Sequence, residues 1–159
     1  MTSSFRASDS AAPETVSGAE FRRQLGNRNE IAGVTPALAR FLEAEALEPR
    51  TSYATELVCE ELLTNIAKYA GGATPGPIEL IVRVQPRHVT LLFQDRGPAF
   101  DPSLYDKAPT ARTLEEASIG GLGLHLVKKF ASTINYERLS GINRTEVRIS
   151  RPDESKTQD

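Results

Sequence analysis

Three short stretches of the chain carry residue types and spacings that could handle a nucleotide. Glu61 and Asn65 stand four residues apart in a segment of helical periodicity, so their side chains share one helix face with Cβ atoms roughly 5–6 Å apart. A carboxylate in that position can take a proton from an attacking hydroxyl or water. An amide oxygen one turn on is a hard ligand suited to Mg²⁺, which takes few protein groups and completes its shell with phosphates and waters. Glu60 and Thr64 point toward solvent on the same helix, so geometry selects Glu61 over its neighbour as the acid. Asp95 ends an apolar run over 89–94. Its carboxylate can accept a hydrogen bond from an exocyclic amine such as that of adenine, and Gly97 lets the backbone approach a flat ring. Gly120, Gly121 and Gly123 lead into a helix, whose first backbone N–H groups lack partners and favour anions. Each feature alone has an ordinary structural reading: a solvated helix carboxylate, a surface amide, an Asp-x-Gly turn, close packing at a helix start. In this order they point to a nucleotide site. The glycine run is not the lysine-bearing phosphate loop, because no Gly-Lys-Ser/Thr follows, and it lacks the third glycine of the dinucleotide fingerprint.

The elements that must hold these residues follow from periodicity. Residues 20–26 include Phe21 and Leu25 and read as a short edge strand. Over 29–47, Ile31, Val34, Leu38, Phe41 and Leu42 recur at helical spacing, with Pro36 expected in the first turn or at a kink. Pro49 separates a second helix, with Thr51 or Ser52 as its N-cap, a stripe of Val58, Leu62, Ile66 and Tyr69, and a close at Gly71-Gly72. Strands over 78–84 and 88–93 form a hairpin through Gln85-Pro86-Arg87. Residues 95–119 show no periodicity, and a loop of that length in a compact domain is usually functional. Within it Phe100 reads as a core plug, Asp101 as a turn or cap and Pro102 as a stop. A helix follows over about 122–131, then strands over 133–139 and 144–150 flanking the turn Ser140-Gly141-Ile142-Asn143. Helices first, then strands around one helix, favour an α+β two-layer sandwich. Residues 1–18 read as a disordered lead-in, 19–150 as one domain and 151–159 as a polar tail.

Composition narrows the classes. With 19 basic and 21 acidic residues the net charge is −2, without the basic footprint of a nucleic-acid platform. No apolar run approaches the roughly 20 residues needed to cross a bilayer. Cys59 is the one cysteine, which excludes an internal disulfide framework and fits the cytoplasm. His88 and His125 are the only histidines, and no metal-ligand spacing or nucleophile elbow accompanies them, against a zinc site or hydrolase triad. Arg22 and Arg23 are candidates for contact with a protein partner.

The three motifs together resemble the ATP-binding superfamily of gyrase, Hsp90, histidine kinases and MutL, and within it the small anti-sigma-factor serine/threonine kinases. Glu60-Glu-Leu-Leu-Thr-Asn-Ile-Ala-Lys-Tyr-Ala70 is similar to that family's N box. Asp95-Arg-Gly-Pro-Ala-Phe-Asp-Pro102 is similar to its first glycine box, and Ile119-Gly-Gly-Leu-Gly-Leu-His-Leu-Val127 to its second. The resemblance spans about 20–150. It implies a histidine-kinase-like (Bergerat) fold, with a mixed, mostly antiparallel sheet covered by helices on one face. It also implies Asp95 on adenine with Gly97 and Ala99 beside it, and Asn65 on Mg²⁺. Gly120, Gly121, Leu122, Gly123, Leu124 and Thr145 would be further ATP contacts, and Glu61 the base that activates a serine or threonine hydroxyl. The implied substrate is an anti-sigma-factor antagonist, with a sigma factor as alternative partner, a homodimeric state, and no direct contact with nucleic acid or membrane. The chain departs from the pattern at Ala117-Ser118, where similar proteins carry a basic group, leaving Lys107 or Arg112 for the γ-phosphate. A nucleotide-gated binding module with little kinase activity is therefore the second reading.

Overall fold

A computed structural model describes residues 18–69, 77–104 and 121–153. Strand β1 (Ala19–Leu25) leads through a short 3-10 turn into helices α1 (Ile31–Ala44) and α2 (Pro49–Tyr69). Strands β2 (Ile78–Val84) and β3 (His88–Asp95) follow, then helix α3 (Gly121–Phe130) and strands β4 (Thr133–Leu139) and β5 (Ile142–Ser150). The sheet order is β1-β2-β3-β5-β4. Every neighbouring pair is antiparallel, so no parallel pair of the expected mixed sheet occurs among the described residues.

Alternation along the strands decides which face is covered. Ile78, Leu80, Val82 and Val84 of β2, Val89, Leu91 and Phe93 of β3, and Val147 and Ile149 of β5 pack on one face against Leu38 and Leu42 of α1. Val58, Leu62 and Leu63 of α2 and Leu124 and Val127 of α3 complete that core. Burying such side chains contributes about 1.5–3 kcal/mol each. On the opposite face Ile81 and Leu92 are cross-strand partners and are buried. Around them run surface ion pairs, Arg22 to Glu79 at 2.9 Å and Arg83 to Glu20 at 2.8 Å among them. Arginine stems can shield apolar surface in this way while the charged ends stay wet.

Several boundaries differ from the sequence expectation. Helix α1 begins at Ile31 and carries Pro36 inside it, beyond the first turn. Helix α2 begins at Pro49, because proline at the first helical position gives up an N–H that would be unpaired anyway. Ser52 N–H then donates to the Glu48 carbonyl at 2.9 Å, so Glu48 precedes the first turn and neither Thr51 nor Ser52 is the N-cap. Asp101 does cap: its Oδ1 accepts from the backbone N–H and hydroxyl of Ser103, at the 3-10 turn Pro102–Leu104. The expected close at Gly71-Gly72, and Lys107, Arg112, Ala117 and Ser118, lie outside the described residues. The last turn is tighter than expected. Ser140 (φ 53°) and Gly141 (φ 76°) both adopt left-handed backbone, as a two-residue type I′ hairpin requires. Ile142 and Asn143 therefore belong to β5 rather than to the turn. Arg22 and Arg23 have partners within the chain: Arg22 pairs with Glu20 and Glu79, and the Arg23 guanidinium lies 4.3 Å from the Phe21 ring centre.

Candidate functional site

Between α2 and the core-facing ends of β3 and β5 lies a cleft lined by Asn65, Asp95, Gly97, Asn143 and Thr145, with apolar walls from Leu62, Ile66, Phe93 and Phe100. Helix α2 supplies Asn65 because its apolar stripe must face the sheet, which turns the adjoining polar position inward. Asn65 is only 4% exposed, and its amide Nδ2 has no hydrogen-bond partner among the described residues. A buried amide N–H without a partner carries a cost of about 1–3 kcal/mol, and the residue that bears it lines the cleft.

Asp95 and Thr145 come from neighbouring strands. Both are inward positions and are 8% and 6% exposed. The Asp95 carboxylate accepts two bonds at the same oxygen: Gly97 N–H donates to Oδ1 at 2.8 Å and Asn143 Nδ2 at 3.0 Å. No described residue donates to Oδ2, so one carboxylate oxygen at the cleft remains available to a ligand donor. Phe100 seals the apolar side and packs partly against the core.

Glu61 and Gly123 meet elsewhere. A Cβ placed on Gly123 would overlap the Glu61 carboxylate, so the side chain of Glu61 lies directly against the opening turns of α3. Partial burial, and secondarily the charge of Glu60, raise the Glu61 pKa above the ordinary glutamate value. Such a shift makes a carboxylate a stronger base than its exposed counterpart. Glu60 and Thr64 are exposed, as helical geometry required.

The predicted site residues thus divide. The fold brings Asn65, Asp95, Gly97 and Thr145 to one cleft and sets Glu61 beside Gly123. Leu124 goes to a different place: its side chain is fully buried in the core, on the inward face of α3. Ala99 is exposed next to the cleft and is not among its lining residues. Gly121 and Leu122 lie in the first turn of α3, and Gly120 falls outside the described residues. Among the described residues no three His, Cys, Asp or Glu side chains gather as a metal site. Cys59 is buried in the core with its thiol pushed up to about 12, mainly by desolvation, which leaves it protonated and unreactive.

Sequence reasoning missed Asn143, Tyr136 and Arg138. Asn143 Nδ2 donates to Asp95 Oδ1, to the Gly97 carbonyl at 3.1 Å and to the Pro98 carbonyl at 3.0 Å. Its Oδ1 accepts from the Tyr136 hydroxyl at 2.6 Å and Arg138 Nη1 at 2.7 Å. The available signal was the Ser140-Gly141 pair. As a two-residue turn it puts Asn143 in phase with Thr145, Val147 and Ile149, on the buried face.

Residues 27–151 match the family model described as histidine kinase-like ATPase domain. The chain is 37% identical over 110 residues to a protein named serine/threonine-protein kinase BtrW from Bordetella bronchiseptica, covering 65% of this chain and 76% of that one. Its fold is similar to a chain in the crystal structure of the SiaB-SiaC complex from Pseudomonas aeruginosa. That match has a TM-score of 0.55 and 16% identity, and covers 82% of this chain and 88% of the other.

Proposed function

Because the chain belongs to the histidine kinase-like ATPase family, we propose that it is an ATP-dependent serine/threonine protein kinase. Its substrate would be an anti-sigma-factor antagonist, and it would regulate a sigma factor or equivalent partner by switching between the two. The single observation that carries the nucleotide assignment is the cleft: Asp95, with one oxygen uncommitted, and Asn65 line the same space. The similarity to a protein named as a serine/threonine-protein kinase supports the reaction. The same reading includes a cytoplasmic homodimer. No helix among the described residues is long and apolar enough to cross a membrane.

In this mechanism Asp95 accepts a hydrogen bond from the exocyclic amine of adenine, and Gly97 and Phe100 bound the ring. Thr145 adds a hydroxyl at the base of the cleft. Asn65 fits a Mg²⁺ ligand: it lines the cleft with its Nδ2 buried, which leaves the amide oxygen, a hard donor of the kind this ion takes, as the end toward the space. Mg²⁺, when bound, neutralises phosphate charge. Glu61 accepts the proton of the substrate hydroxyl, with a basicity raised by partial burial. The rest of catalysis is positioning and charge neutralisation, as is general for phosphoryl transfer.

The decisive experiment is label transfer from γ-labelled ATP to purified candidate antagonists, with ATP binding measured in parallel. Glu61→Ala is expected to keep ATP binding and to lose transfer by a factor of about 10²–10⁴, the range for a general base. Transfer at the wild-type rate in that variant would remove Glu61 from the role of base. If the wild type binds ATP but labels no antagonist, the second reading takes over. In that reading the chain is a nucleotide-gated binding module, consistent with Ala117 standing where similar proteins carry a basic residue.

A further inference from the structure

We propose that Asn143 is a positioning residue that sets the nucleobase selectivity of the cleft by fixing the orientation of Asp95. The proposal rests on the nucleotide reading above and goes beyond it, because Asn143 is not one of the groups assigned to touch the ligand. Its orientation is determined by chemistry. Arg138 is a donor only, so the amide end it contacts at 2.7 Å must be the oxygen. The NH₂ end then faces three acceptors: Asp95 Oδ1, Gly97 O and Pro98 O. The Tyr136 hydroxyl is held in turn, accepting from the Phe100 backbone N–H at 3.2 Å while donating to Asn143 Oδ1. Arg138 also donates to the Gly97 carbonyl at 2.9 Å.

One buried amide, 4% exposed, therefore ties Asp95 to the backbone that lines the other side of the cleft. Two donors hold Asp95 Oδ1 and leave Oδ2 as the oxygen presented to the ligand. An acceptor held in this way rewards a base carrying an amino group and penalises one carrying a carbonyl at the same place, since two acceptors then face each other. Without Asn143 the carboxylate gains a rotational freedom that lets it turn from a mismatched base. Selectivity falls in consequence, whether or not total affinity does.

The test compares ATP with ITP, which replaces the 6-amino group by a carbonyl, by measuring the dissociation constant of each without turnover. Wild type, Asn143→Ala and Asn143→Ser are assayed, with the melting temperature recorded for each. Wild type is expected to prefer ATP. Both variants are expected to lower the ATP-to-ITP preference by about tenfold or more, the value of one hydrogen bond to a charged group. If the wild type binds neither nucleotide, the nucleotide reading fails; if it binds both without preference, that reading stands and the proposal is overturned. If the wild type discriminates and the folded variants discriminate equally well, Asn143 has only a structural role and the proposal is overturned. A parallel loss of affinity for both nucleotides at constant preference has the same meaning. Asn143→Ser keeps a small polar group there without setting a second charge beside Asp95, so it covers the case in which Asn143→Ala does not fold.

Discussion

A methyl group on Gly123 would collide with the carboxylate of Glu61, and this contact ties the second glycine motif to the acid on α2. The collision is with the end of a flexible side chain, so rotation of Glu61 relieves it at small cost. Gly123→Ala in a helix also gains up to about 1 kcal/mol in backbone propensity. The variant is therefore expected to keep or raise its melting temperature while phosphoryl transfer drops by at least about tenfold, because a misplaced base loses most of its effect. An unchanged transfer rate in a stable Gly123→Ala protein would show that Glu61 does not act from this position. At this scale the sequence was informative about residue type and poor about address. Glu61, Asn65 and Asp95 were nominated by residue type and by the order of the motifs, since each alone has an ordinary structural reading. The burial of Leu124 in the core was not anticipated, since a motif marks positions without saying which face of the helix each one takes.

At the scale of elements, the β4–β5 hairpin determines how the cleft closes. Its Ser140-Gly141 turn holds two left-handed residues in succession, and that geometry sets the register in which Arg138 lies opposite Asn143 and Tyr136 opposite Thr145, while pairing of β5 with β3 puts Asp95 opposite Asn143. Gly141 has open space around its Cα, so replacing it by alanine incurs only the backbone cost of a left-handed residue, about 1 kcal/mol. Gly141→Ala is expected to lower the melting temperature by roughly 2–4 °C for a chain of this size. A melting temperature equal to wild type would mean that the turn relaxes to another form. Strand and helix locations were legible from periodicity: the β2–β3 hairpin and the three described helices lie where apolar spacing put them. The hairpin turn was read two residues too long. Asn143 resembles a turn residue to a composition-based reading, while the twist of the paired strands selects the shorter primed turn.

Across the whole molecule, Arg151 holds distant parts of the chain together. Its guanidinium makes a two-point pair with Glu48, 2.7 and 3.2 Å, and donates to the Gln85 carbonyl at 2.9 Å. The start of α2, the β2–β3 hairpin and the end of β5 thus meet at one residue that the sequence places in the tail. Arg28 does the same at the other end, donating to the Ala67 carbonyl near the end of α2 at 2.6 Å. The Arg151 guanidinium beside Glu48 holds its carboxyl below the ordinary value. A depressed carboxylate contributes its full stability above the unfolded pKa and loses it as pH falls through the folded one. Glu48→Gln is therefore expected to cost about 1 kcal/mol near neutral pH, a modest value for a partly exposed pair. The gap from wild type should close on acidification below about pH 4. Denaturant titrations at both pH values check this, and a gap that persists in acid would assign the loss to packing instead of charge.

Taken alone, the sequence determined the class of the molecule. Apolar periods of about 3.6 and 2 residues fixed helices and strands, their order fixed a two-layer α+β sandwich, and local chemistry nominated the acid, the amide and the aspartate. These properties depend on neighbours within a few positions, so a linear reading reaches them. The tertiary structure decided which nominated groups share a space. Asn65 and Asp95 border one cleft because α2 packs over β3, and Glu61 turns toward Gly123 because α3 packs beside α2. Asn143 became the hub of that cleft through partners 5, 7 and 45–48 positions away. Hydrogen bonds over such separations are set by strand register and packing, which no short window of residues contains.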